Sequence, residues 1–141
     1  MSEVSLRPML VLDYSEVFEL WQRSEGVGLS ASDERDRIEG YMARNPGLSQ
    51  VAESDGKIVG AVLCGHDGRR GFIYHLAVDS EWRGQGLGRQ LAERVLTLLK
   101  EQGIQKAYVM VFRQNGAARG FWERTGWEAR EDLVPMCAVL E

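Results

Sequence analysis

One stretch constrains the fold of this chain more than any other: Leu76-Ala77-Val78-Asp79-Ser80-Glu81-Trp82-Arg83-Gly84-Gln85-Gly86-Leu87-Gly88-Arg89. An apolar strand runs into a glycine-rich turn, and a helix begins inside that turn. The first amides of such a helix lack intrahelical partners, and the helix dipole adds partial positive charge to them. The result is an anion site. Glycines at 84, 86 and 88 let a phosphate approach the backbone without meeting a Cβ, and Arg83 and Arg89 add charge at either end. Two nucleotide-binding patterns fail on spacing. No Gly-x-x-x-x-Gly-Lys-Ser/Thr string is present. A Gly-x-Gly-x-x-Gly started at Gly84 ends on Arg89, and one started at Gly86 ends on Leu91.

The rest of the chain supplies the scaffold. Val4 to Met9 reads as a strand. Asp13 and Glu16 predict a reciprocal cap on a helix whose Tyr14, Val17, Phe18 and Trp21 recur at helical spacing. Residues 26–32 form a loop, and a second helix carries Ile38, Tyr41 and Met42 before ending at Asn45-Pro46-Gly47. Strands are predicted over 48–53 and 57–65, joined at Asp55-Gly56, whose residues tolerate positive φ. A polar turn, 66–71, leads to a strand over 72–78. A long helix over 86–102 presents Leu87, Leu91, Val95 and Leu98 on one stripe and stops at Gly103. Then come a strand over 105–112, a short helix over 115–125 and a last strand from Trp127. The order βααβββαβαβ predicts an α/β (α+β) fold, a mixed sheet with helices on both faces. With 141 residues and no linker-like segment, the chain reads as a single domain, 1–141.

Charge and cysteine usage narrow the function. A net charge of −4 disfavours nonspecific nucleic-acid binding. Cys64, Cys137, His66 and His75 form no metal-ligand spacing, so no metal is expected. The opening MSEVSLRPML has neither a basic start nor a long apolar run, and no later run spans a bilayer. No membrane association and a cytoplasmic location are the default expectations.

The hexapeptide Arg83-Gly84-Gln85-Gly86-Leu87-Gly88 is similar to the Arg/Gln-x-x-Gly-x-Gly/Ala pyrophosphate loop of the GCN5-related N-acetyltransferase (GNAT) family. Leu-Ala-Val-Asp precedes it at the family's usual distance. Asn115-x-x-Ala118-x-x-Phe121-Trp122-x-x-x-Gly126-Trp127 resembles the family's later Asn-x-x-Ala-x-x-Phe/Leu-Tyr-x-x-x-Gly-Phe segment. The resemblance covers roughly residues 3 to 140. It implies a mixed, mostly antiparallel sheet of six to seven strands, splayed between the fourth and fifth and flanked by four helices. It also implies acetyl-CoA as co-substrate and direct attack of an amine on the thioester in a ternary complex. Backbone groups of Leu76, Ala77 and Val78 would hold the acetyl carbonyl and pantetheine arm. Amides from Gly84 through Gln85, Gly86, Leu87 and Gly88 to Arg89 would hold the pyrophosphate, with Arg83 beside them and Asn115 on the arm. The acceptor would be a small-molecule or protein amine, and splayed sheets with exposed edges leave room for a homodimer.

Two positions depart from the family pattern. The usual tyrosine acid is Trp122, whose indole does not release a proton near neutral pH and is better read as a wall along the cofactor arm. Where members that acetylate protein N-termini carry a glutamate, this chain has Met110. Among replacements, His75 has the intrinsic chemistry of a general base, the alternative being a hydrogen-bonded sheet-face histidine. Strand alternation places His75 opposite Tyr74 and Leu76 unless a bulge intervenes. Tyr74 and Tyr108 are candidate acids or core aromatics, and Glu53 is a candidate base or a solvated edge carboxylate. The acceptor region would draw on Trp21, residues 26–32, Tyr41 and Asp132. Asp33, Glu34 and Asp36 suit a cationic amine or simply a helix start, whereas Arg69 and Arg70 suit an acidic acceptor. Loss of both usual catalytic groups leaves a noncatalytic acyl-CoA-binding or sensing domain as the alternative to an acetyltransferase.

Overall fold

The computed structural model describes residues 3–140. They fall into two compact units, one ending at Met110 and the other beginning at Val111. The first unit contains β1 (Ser5–Pro8), α1 (Tyr14–Gln22), α2 (Arg35–Arg44), β2 (Gln50–Ser54), β3 (Lys57–His66), β4 (Gly71–Val78), α3 (Leu87–Glu101) and β5 (Ala107–Val109). The second contains α4 (Gly116–Arg124).

The sheet has five strands in sequence order, antiparallel from β1 through β4 and parallel between β4 and β5. Asp55 and Gly56 turn the β2–β3 hairpin with φ of 51° and 74°, as the sequence predicts. β3 is buried along nearly its whole length because both sheet faces are covered. Val51, Ala61 and Leu63 point to one face, where they join Val17, Leu20 and Trp21 of α1 and Ile38 of α2. On the other face, a Cβ on Gly60 would stand 3.0 Å from Leu91 Cδ1, and one on Gly71 would stand 2.7 Å from Leu99 Cδ1. Those glycines let α3 lie close against β3 and β4.

Four predicted details change. The Asp13–Glu16 reciprocal cap does not form: Asp13 accepts from Leu10 N (2.7 Å) and from Arg7, and Glu16 Oε2 accepts from Ile58 N (2.6 Å) instead. Leu99 is the fully buried residue on the last turn of α3, with Leu98 half-buried, because the space over Gly71 faces Leu99. β5 is three residues long where 105–112 was expected, and the sheet accordingly has five strands where six to seven were expected. In the second unit, residues 127–140 contain no strand. Leu133 N donates to Arg130 O (3.3 Å), and the Arg130–Asp132 ion pair (2.9 Å) spans the same turn.

Candidate active site

β4 carries the site because its two edges are satisfied unequally. On one side it pairs with β3 from His66↔Gly71 to Gly60↔Val78. On the other, β5 pairs only with Gly71, Phe72 and Ile73, so Tyr74 to Val78 have no β5 partner. Backbone donors and acceptors on such an edge are available to an extended ligand, as to an added strand.

The ladder with β3 is also broken at one point. Ala61 faces Ala77 and Leu63 faces Tyr74, so Val62 stands opposite both His75 and Leu76. This is a β-bulge, with His75 at φ 54° in the left-handed region. A non-glycine residue there costs on the order of 1–2 kcal/mol. The bulge overrides alternation and puts Tyr74 and His75 on the same sheet face. Tyr74 meets Tyr41 of α2 edge-on (6.4 Å between centroids), while His75 meets Trp21 of α1 (4.9 Å).

His75 has a specific partner. Its Nε2 lies 2.8 Å from Asp33 Oδ1, in a short 3-10 turn (Ala31–Asp33) that precedes α2. Asp33 is held in turn: Oδ2 accepts from Ser30 N (3.0 Å), and its carbonyl accepts from the Tyr14 hydroxyl (2.6 Å). Arg35 covers the Tyr14 ring at 4.8 Å. The side chains of His75 and Asp33 are 16% and 9% exposed, so this pair is shielded yet reachable by a proton. Burial raises the Tyr74 phenol above its ordinary pKa, which makes it a weaker proton donor than a free tyrosine.

Beyond Val78 the chain is fixed by Asp79. Its amide donates to Val59 O (2.9 Å), and its carboxylate accepts from Glu81 N (3.0 Å) and from Arg23 (3.0 Å). The Glu81 amide, and against the cost of burial the Arg23 guanidinium, hold that carboxyl below the usual carboxylate range. A 3-10 turn over Ser80–Trp82 follows, and Gly84 and Gly86 turn the backbone at φ 79° and 81° into α3. α3 has Gly86 as its N-cap, with no side-chain cap and no acidic residue in its first turn. Added Cβ atoms at Gly84 or Gly86 would meet nothing within 4 Å. A 15-residue helix thus presents an open, uncapped N-terminus.

The remaining predicted residues are placed as follows. Arg83 Nε donates to Val78 O (3.1 Å), which occupies one of the β4 backbone groups expected to serve the cofactor. Arg89 pairs with Glu93 one turn along α3 (3.2 Å). Tyr108 stacks on Phe72 (5.9 Å), Glu53 pairs with Arg7 (3.2 Å), and Met110 is exposed. Arg69 and Arg70 donate their amides to Asp67 Oδ1 in the 66–71 turn. In the second unit, Asn115 Oδ1 caps α4 through Ala118 N (3.0 Å). Trp122 is buried there, between the rings of Phe121 (5.0 Å) and Trp127 (4.9 Å). From the sequence, Asp33 suits a cationic amine or a charged helix start, and its contact with His75 has no signal there. A charged-adjacent cleft of about 470 Å³, lined by Glu16, Glu19, Arg23, Lys57, Asp79 and Glu81, lies by the exit of β4 and includes neither member of the pair. Among the described residues no group of three or more His, Cys, Asp or Glu converges as a metal site, and no helix is long and apolar enough to cross a membrane.

Residues 14–127 match the acetyltransferase (GNAT) family. An acetyltransferase of Yersinia pestis is 34% identical over 122 residues, 86% of either chain. Among solved structures, the PaiA N-acetyltransferase of Thermoplasma acidophilum, in complex with coenzyme A, superposes with a TM-score of 0.80 at 16% identity, covering 92% of both chains. A predicted acetyltransferase of Clostridium acetobutylicum, with acetyl-CoA, gives a TM-score of 0.77 at 16% identity over 96% of both chains.

Proposed function

This chain belongs to the acetyltransferase (GNAT) family and is an acetyl-CoA-dependent N-acetyltransferase. On that premise we propose that it acetylates a primary amine, of a small molecule or a protein, with His75 as the proton acceptor. The observation that carries this reading is the joint arrangement of the half-unpaired β4 and the open N-terminus of α3. These residues fit the co-substrate. The edge of β4 left unpaired by β5, at Leu76 and Ala77 and at the Val78 amide, suits an extended amide-bearing arm, and the Leu87, Gly88 and Arg89 amides suit a pyrophosphate. The match to coenzyme-bound relatives at the level of fold supports the same placement. The family match runs across the Met110/Val111 division, which supports reading the chain as one domain.

The co-substrate supplies an activated acetyl group as a thioester. The residues of this chain supply position and proton transfer. Holding the two reactants together accounts for a large share of the acceleration, on the order of 7–11 kcal/mol in favourable cases. His75 lies on the bulge of the cofactor strand and can take a proton from an acceptor ammonium, directly or through water. The amine lone pair then forms the C–N bond as the C–S electrons leave on sulfur. A second nitrogen proton passes to the sulfur. The balance is an amide, a free thiol and one proton released from His75 to solvent. Trp122 and Met110 take no part in proton transfer, since neither side chain titrates near neutral pH.

The test is thiol release from acetyl-CoA across a panel of polyamines, aminoglycosides, amino sugars, amino acids and peptide N-termini, with products identified by mass. Transfer to one amine class is the expected result. Acetyl-CoA binding with no transfer to any amine in the panel or to a cell extract would contradict it.

A further inference from the structure

Asp33 and His75 are 42 positions apart, yet the fold brings Oδ1 and Nε2 to 2.8 Å. An ionised carboxylate only accepts hydrogen bonds, so the proton between them belongs to Nε2. A neutral imidazole with its proton on Nε2 has Nδ1 as its basic nitrogen. Among the described residues no hydrogen bond engages Nδ1, whereas His66, the second histidine, has both ring nitrogens in use, with Gln102 and with the Gly68 amide. We propose that Asp33 is the positioning residue of the proton acceptor: it fixes His75 in the Nε2–H form, aims the ring, and stabilises the imidazolium formed when Nδ1 takes the proton. This deepens the assignment of His75 as base and rests on it.

The surroundings support a built pair. Asp33 cannot swing away easily, because the Ser30 amide holds its second oxygen and the Tyr14 hydroxyl holds its carbonyl. The edge-on contact with Trp21 limits rotation of the imidazole. The left-handed backbone at His75 is a local cost kept at the one β4 position whose side chain reaches Asp33. The titratable groups facing the ring are few. From the turn before α2 comes Asp33, on Nε2, and from β4 comes Tyr74, edge-on at 6.4 Å. Tyr14 of α1 reaches the Asp33 carbonyl, with the Arg35 guanidinium over its ring. Val62 and Leu63 of β3, opposite the bulge, carry no charge. Asp33 is therefore the anion in direct contact with the imidazole. The arrangement follows the logic of an aspartate that sets the tautomer of a catalytic histidine without itself accepting the proton.

Asp33→Asn tests this with little effect on the fold, since an amide oxygen still accepts from the Ser30 N–H. Its NH₂ then donates to Nε2, and the imidazole proton moves to Nδ1, removing the base. The first readout is the ¹⁵N spectrum of the histidine rings in ligand-free protein near pH 8. Wild type is expected to show His75 as the Nε2–H tautomer and Asp33→Asn to show Nδ1–H, with the His66 signals as an internal reference. The second readout is the pH profile of kcat/KM for the amine identified in the panel. A loss on the order of 100-fold near pH 7 is expected, the scale of positioned general-base catalysis. Acetyl-CoA Kd should stay within about twofold, and the deficit should shrink at high pH, where the amine arrives deprotonated. Asp33→Glu should restore part of the activity. An unchanged tautomer, or a wild-type profile in Asp33→Asn, overturns the role of Asp33. His75→Asn separates the two claims, because asparagine tolerates the left-handed backbone. Loss of the basic step in His75→Asn but not in Asp33→Asn rejects the pair alone. A wild-type profile in His75→Asn rejects His75 as base, and the pair with it.

Discussion

Replacing Gly86 by glutamate and, in parallel, by glutamine isolates the charge at the proposed pyrophosphate site. Both side chains enter open space, since a Cβ at this position meets nothing within 4 Å. Both also suffer the same backbone penalty, because φ is +81° there. That penalty is about 1–2 kcal/mol, or a Tm loss of roughly 3–8 °C for a chain of this size. It cancels when the two variants are compared. What remains is one carboxylate placed about 6 Å from a bound phosphate charge. At an effective dielectric of about 20 that repulsion is worth roughly 2.8 kcal/mol, or about 100-fold in affinity. The same charge also opposes the favourable anion site at the N-terminus of α3, because it occupies that site itself. Calorimetric titration with acetyl-CoA at low ionic strength should therefore give a Kd about 100-fold weaker for Gly86→Glu than for Gly86→Gln. The gap should narrow in 1 M salt, where the Debye length is about 3 Å. Equal affinities of the two folded variants at low salt would refute the reasoning, since no phosphate could then lie against this turn.

Three further outcomes follow from particular contacts. Gly65→Ala should lose about 1–3 kcal/mol, or roughly 3–10 °C in Tm. Its Cβ would stand 2.6 Å from Tyr41 Oη and Asn45 Nδ2, and Asn45 is tied to His66 N and Tyr41 O; an unchanged melting curve would show that these side chains yield freely. Asp79 has a folded pKa below its unfolded value of about 3.9, so its stabilising effect is present above that pH and is lost as pH falls through the folded value. Chemical denaturation of Asp79→Asn from pH 6 down to pH 2 should accordingly show a shallower acid-side loss than wild type, and parallel curves would remove Asp79 from the account. Burial pushes the Cys64 thiol up to about 12, whereas Cys137 is exposed. Ellman's reagent should count one thiol in native protein and two after denaturation, and two fast-reacting thiols in native protein would contradict the burial of Cys64.

The sequence makes the fold largely legible because its strongest signals are local. Asp55-Gly56 fixes a hairpin through two residues, and the strand–glycine–helix passage from Leu76 to Arg89 fixes both the open N-terminus of α3 and the crossover to β5. Helical periodicity finds α3 but does not choose between Leu98 and Leu99, which follow Val95 by three and four positions. The sheet decides, through the space above Gly71. The candidate site is legible only in part. The bulge at His75 has no signature in Tyr74-His75-Leu76, since it is visible only as a register shift against β3. The Asp33 contact joins a turn to a strand, and Glu16 likewise leaves its expected cap for the amide of Ile58. Pairings over such distances are set by how helices pack on the sheet. Periodicity and capping rules do not reach them.

The central claim is that acetyl-CoA lies along the free edge of β4 with its pyrophosphate on the first turn of α3. Titrating acetyl-CoA into ¹⁵N-labelled protein and following the backbone amides tests it most directly. The account predicts that the largest shifts cluster on Leu76 to Val78 and on Gly84 to Arg89, with saturation at a single Kd. Saturable binding whose shifts fall elsewhere, leaving those two segments unmoved, would contradict it.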